Sequence, residues 1–90
     1  MLPLNFAILN HFLCTEEASA ESVFEALKNK YGHRRAFTVK NILETIMTAE
    51  ANGLLEESRY EIEHMGKLVI FYKAHNEGAA TITAHIGKWL

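Results

Sequence analysis

The hydrophobic period of this chain changes once, near Leu54, and that change limits the fold more than any other feature. Before it, apolar residues recur at the three-to-four-residue spacing of helix faces; after it, they alternate as strand residues do. Leu4, Ala7, Ile8, His11 and Phe12 share one helical face and predict a helix over 4–13, with Pro3 suited to the start, where its missing N–H is not needed. Ser19 reads as an N-cap for a second helix, Ala20 to about Tyr31, along Val23, Leu27 and Tyr31, with Gly32 as a left-handed stop. Thr38 caps a third helix from Val39 to about Asn52, whose inner face is Val39, Ile42, Leu43, Ile46 and Ala49.

Past Leu54, Ser58, Tyr60 and Ile62 alternate with Arg59, Glu61 and Glu63, and Leu68 to Ala74 is a β-branched and aromatic return strand. The connection 64–67 should place Gly66 in the left-handed region, because Met65 tolerates a positive φ poorly. Asn76 is expected to cap a short last helix ending at Ile86. The chain is therefore expected to be α+β: three helices, a two-stranded hairpin wing and a short C-terminal helix, the winged helix-turn-helix arrangement. Its 90 residues suit a single winged-helix domain over 1–90, and a hydrophobic share of 49% is enough to fill one core.

Some residues resemble a known family. Ile46-x-x-Ala49-Glu50-x-x-Gly53-Leu54-Leu55 is similar to the end of the third helix and the first wing strand of winged-helix regulators. The run Phe71-Tyr72-Lys73-Ala74-His75-Asn76-Glu77-Gly78 resembles the aromatic second wing strand and following helix start of PadR-like repressors. The likeness covers roughly residues 4–82 in order and spacing. The stretch Arg34-Arg35-Ala36-Phe37-Thr38 departs from the Gly-x-Leu-Tyr pattern such proteins carry there, and Ala49 and Ala74 replace larger aliphatics. The resemblance implies a winged helix and sequence-specific DNA binding, usually as a dimer.

In a helix-turn-helix the second helix of the motif enters the major groove and reads base edges. The outer face of the third helix offers Lys40, Asn41, Glu44, Thr45 and Thr48. Asn41 suits adenine, Lys40 guanine or phosphate, the threonines either, and Glu44 a cytosine amino group. A solvated helix face has the same composition, so both readings stand. Arg34 and Arg35, just before Thr38, suit phosphates, and Lys67 is the cation at the wing tip. Against this stand a formal net charge of −2 and the wing acids Glu56, Glu57, Glu61 and Glu63, which oppose a phosphate surface.

If Ile70, Tyr72 and Ala74 face inward, Val69 and Phe71 face outward, and with Trp89 they form a candidate partner or dimer interface. His11 and Cys14 share a helical face, and His75 and His85 are further ligand types, but one cysteine with scattered histidines lacks the paired spacing of a zinc site. His11 is expected at the core edge and Cys14 as a small buried hydrophobe. No glycine-rich phosphate loop, paired-carboxylate motif or nucleophile pattern is present, so no metal, cofactor, small-molecule substrate or catalysis is expected.

The lone cysteine, the opening Met1-Leu2-Pro3-Leu4-Asn5 without a basic region, and the lack of a long apolar run point to the cytoplasm and away from the membrane. Two functions remain: a transcriptional regulator whose partner is double-stranded DNA, or a winged-helix protein–protein module such as an adaptor or assembly subunit without DNA binding.

Overall fold

A computed structural model of the chain describes residues 2–87. Its elements run α1 (Leu4–His11), α2 (Ala20–Tyr31), α3 (Val39–Ala51), β1 (Leu55–Ile62), β2 (Leu68–Ala74) and α4 (Asn76–Ile86). This is the expected α+β order of a winged helix with a C-terminal helix. Among the described residues no helix is long and apolar enough to cross a membrane.

The helix starts follow their caps. At α2 the Ser19 hydroxyl accepts from the Ser22 N–H at 3.1 Å, while the Ser22 hydroxyl accepts from the Ser19 N–H at 2.9 Å, so two otherwise orphaned donors are satisfied reciprocally. At α3 the Thr38 hydroxyl accepts from the Asn41 N–H at 3.1 Å. The expected cap of α4 is corrected: His75, not Asn76, is the N-cap. Its ring accepts from the Gly78 N–H, whereas Asn76 already lies inside the helix.

Two other expectations about helix ends change. α1 stops at His11 rather than Leu13, although Phe12 beyond it is still buried. Gly32 is right-handed, with φ −60°, and its N–H still bonds the Lys28 carbonyl, so it continues the helical path instead of reversing it. The positive-φ glycines are Gly53, at φ +77°, and Gly66, at φ +81°.

One core joins all the elements. Ile8 and Phe12 of the first segment, Val23 of α2, Ile42 and Ile46 of α3, Leu55 and Tyr72 of the hairpin, and Ile82 of α4 are all buried in it. Phe24 and Phe37 stack with centroids 4.7 Å apart and pin the α2–α3 turn onto this core. Tyr31 is buried at the end of α2, and its hydroxyl donates to the Leu2 carbonyl at 2.6 Å, which keeps its polar end satisfied. Leu43, expected inside, is 36% exposed because it turns away from the line of Ile42, Ile46 and Ala49.

The strands pair antiparallel, with Tyr60 opposite Ile70 and Ile62 opposite Leu68. The register slips between Glu57 and Arg59, so Ser58 is an extra residue in a β-bulge. At the tip the Gly66 N–H bonds the Glu63 carbonyl and the Glu63 N–H bonds the Lys67 carbonyl, each at 2.8 Å; the positive φ of Gly66 closes this longer loop as expected. On the far side of β2, Ala18 exchanges two backbone bonds with Tyr72, at 2.9 and 2.8 Å. The segment before α2 is thus tied to the outer edge of β2 by an isolated one-residue bridge, and the sheet itself stays two-stranded.

Candidate nucleic-acid interface

α3 presents three distinct sides. Ile42, Ile46 and Ala49 are buried. Lys40, Glu44 and Met47 are exposed opposite them, with Met47 53% open to solvent. The third side faces α1. There the half-buried Thr45 donates its hydroxyl to Asn5 Oδ1 at 3.2 Å. Asn41, at the start of α3, donates its side-chain amide to the Ala36 carbonyl at 2.9 Å, which braces the turn ahead of the helix.

The residues expected to read DNA are therefore not equivalent. Lys40, Glu44 and Thr48 are exposed, whereas Asn41, Thr45 and the capping Thr38 already hold intramolecular bonds. Leu43 and Met47 are exposed apolar residues on the same helix that sequence reasoning did not select. Hydrophobic periodicity assigned Leu43 inward, and Met47 carried no polar signal.

The cations divide into two groups. Those of the hairpin are engaged. Arg59 lies 2.6 Å from Glu17 and 2.6 Å from Glu61, Lys67 is 2.9 Å from Glu21, and Lys73 is 3.6 Å from Glu56. Around the helix-turn-helix, Lys30, Arg34, Arg35 and Lys40 have no ion pair among the described residues. Arg34 is half-buried and its guanidinium lies 4.8 Å from the Tyr31 ring centroid, while Arg35 is exposed. Lys67, the expected wing-tip contact, is held down on α2, and the Glu21 carboxylate raises its pKa through their hydrogen bond.

Glu17 organises the wing. Its two oxygens accept from Ser58 Oγ at 2.7 Å and Arg59 Nε at 2.6 Å, contacts on adjacent residues at the bulge. The Ser58 and Arg59 hydrogen bonds hold the Glu17 carboxyl below its ordinary range, although some desolvation opposes them. The Arg59 guanidinium also lies 4.0 Å from the Phe71 ring centroid.

This arrangement corrects the expected outward pair on the return strand. Val69 is only 6% exposed, and Phe71 is half-buried with Arg59 over its ring. Ile70, Tyr72 and Ala74 do face inward as expected, Tyr72 in the core and the other two packed against it; that face is open only toward the wing tip, with Tyr60 61%, Ile62 68% and Leu68 54% exposed. Trp89, the third member of that proposed interface, lies outside the described residues.

The other candidate ligands separate. His11 is half-buried, and burial lowers its pKa. Cys14 is exposed rather than buried, since α1 has ended before it and the chain turns on the surface. Among the described residues no three His, Cys, Asp or Glu side chains gather as a metal site. His75 is instead structural: its Nδ1 accepts from the Gly78 N–H at 3.1 Å, so Nε2 carries the proton and donates to the Gly53 carbonyl at 2.8 Å.

An open groove of about 460 Å³ runs between α1 and α3, with Ala36 near one end and Asn52 and Leu54 at the other. Its lining mixes an apolar floor with amides and hydroxyls.

No protein-family model matches the chain, and no curated protein matches it by sequence. Among solved structures it is similar to PadR of Bacillus subtilis, solved in complex with operator DNA, with a TM-score of 0.73 at 17% identity. The match covers 92% of this chain and 47% of that one, so the chain spans about half the length of its structural relative. A match of this quality over 92% of the chain shows that it has a winged-helix fold like that of PadR.

Proposed function

We propose that the chain is a DNA-binding winged-helix regulator that reads double-stranded DNA with α3. The observation that carries this reading is the gathering of the unpaired cations Lys30, Arg34, Arg35 and Lys40 around the α2–α3 turn, on a fold shared with a protein solved on operator DNA. The net charge of −2 does not exclude it, because phosphate responds to the local field and these four cations lie close together about one turn. Arg34 and Arg35 would hold phosphates as the helix enters the groove. Lys40, at the start of α3, would hold a phosphate, Glu44 and Thr48 would meet base edges, and Met47 and Leu43 would lie against thymine methyl groups. Thr38, Asn41 and Thr45 position α3 for this task. Lys67 contributes little direct phosphate contact while Glu21 holds it. The reading involves no catalytic step and fits a cytoplasmic protein.

Fluorescence titration of labelled duplex DNA at several salt concentrations tests it. Binding should weaken steeply with salt, because each neutralised phosphate releases counterions. Arg34→Ala with Arg35→Ala should weaken binding to all sequences and reduce the slope of log K against log salt by about two. Absence of binding at low salt would end this reading.

The open apolar wing face favours a second reading, a protein-binding module or homodimer built on Tyr60, Ile62 and Leu68. Ile62→Asp should then abolish self-association in sedimentation experiments while leaving the fold intact. An unchanged sedimentation profile would remove that interface.

A further inference from the structure

We propose that the α1–α3 groove is a binding site for a small amphipathic amine. The groove, at about 460 Å³, falls in the size range of small-molecule sites. Ile8, Leu9, Ile42 and Leu54 give it an apolar floor that can hold an alkyl or aryl body. The side chains around that floor are uncharged amides and hydroxyls, apart from Glu44. Among the described residues no Lys, Arg or His lines the groove, so they offer an anion no counter-charge. Glu44 has no ion-pair partner among the described residues and leaves its carboxylate available.

The hydrogen-bonding capacity of the rim fits the same head group. Asn41 uses its amide N–H on the Ala36 carbonyl, which leaves its side-chain oxygen as an acceptor. Thr45 spends its hydroxyl proton on Asn5, which leaves its oxygen lone pairs. A protonated amine, with three donors and no acceptor, matches two such oxygens and a carboxylate; a carboxylate ligand would meet only the uncharged donors of Asn5, Thr48 and Asn52, with Glu44 repelling it. The site itself does not depend on DNA binding. Its consequence does: on the proposed reading, the occupant would touch Glu44 and Thr48, which also face the DNA, so amine and DNA would compete.

Titration of the isotope-labelled full chain by NMR, without DNA, tests the site with three probes of one shape: 4-phenylbutylamine, 4-phenylbutanol and 4-phenylbutanoate. Shifts should concentrate on amides of α1 and α3, and the amine should bind about fivefold more tightly than the acid, as expected for one solvent-exposed charge pair. Glu44→Gln should erase the preference of amine over alcohol, and Thr48→Trp should fill the groove and abolish all three. Equal affinity for amine and acid, shifts centred elsewhere, or no saturation by about 10 mM would overturn the proposal. Amine binding by a chain that does not bind DNA would support the site and remove the regulator reading. DNA binding by a chain that ignores the amine would remove the site alone.

Discussion

His75 joins the end of the hairpin, the first turn of α4 and the turn after α3 through one imidazole ring. Nδ1 accepts from the Gly78 N–H while Nε2 lies against the Gly53 carbonyl, so both ring nitrogens are used. Replacing His75 with Ala should cost about 1 kcal/mol for the lost cap, and more for the lost bond to Gly53. Asn at this position should recover part of the loss by capping without reaching Gly53, and urea unfolding of the three proteins would order them. Gly78 is the companion constraint. A Cβ at that position would collide with the Leu54 backbone carbonyl, which has no flexible end to move. Gly78→Ala should therefore destabilise the fold by about 1–3 kcal/mol in the same assay, the usual cost of overpacking. A neutral result would mean that α4 can shift away from Leu54 at no cost.

The bulge in β1 determines how the wing is carried. An uninterrupted strand would send Ser58 and Arg59 to opposite faces; the bulge lets both bond Glu17. Together with Lys67 on Glu21, the clamp draws the hairpin toward the start of α2. These pairs are exposed, so their combined geometry matters more than any single bond. The sign of their pH dependence follows from Glu17, whose folded pKa is lowered by Ser58 and Arg59 from a reference of 4.5. Its contribution is complete above that unfolded value and is lost as pH falls through the lower folded value. Thermal unfolding between pH 7 and pH 3 should show wild type above Glu17→Gln at neutral pH, with the two curves converging in acid. Curves that stayed parallel would show that the clamp does not contribute to stability.

Among the described residues, the unpaired cations and the apolar surface of the wing lie in different parts of the molecule. The hairpin's cations are paired, with Glu17 and Glu21 ahead of and in α2 as well as within the wing, the turn between α2 and α3 holds cations without an ion pair among the described residues, and the distal wing exposes Tyr60, Ile62 and Leu68. This separation implies that the turn and the wing respond differently to substitution. Lys40→Ala should weaken nonspecific DNA binding and lower its salt slope by about one, while Lys67→Ala should leave the slope nearly unchanged because Glu21 occupies that ammonium. Parallel salt titrations of the two variants measure the difference. Equal slope losses would show that Lys67 leaves Glu21 to bind phosphate.

Local patterning alone determined much of this protein: the helix, helix, helix, hairpin, helix order, the caps Ser19 and Thr38, and the left-handed Gly66 all follow from residue period and short-range hydrogen bonding. The candidate reading helix was legible for the same reason, since its polar residues interrupt an apolar stripe. Tertiary structure alone decided what those polar residues have left to offer. Asn5 comes from 40 positions away to meet Thr45, and Glu17 from 41 and 42 positions away to meet Ser58 and Arg59. Periodicity carries no record of such partners. The strand reading was right that Ile70, Tyr72 and Ala74 face inward and failed at Val69 and Phe71, because alternation shows that two faces exist but not that the second is covered as well. Arg59 lies over Phe71 and Lys67 bonds Glu21, while the face that buries Tyr72 opens toward the wing tip at Tyr60, Ile62 and Leu68.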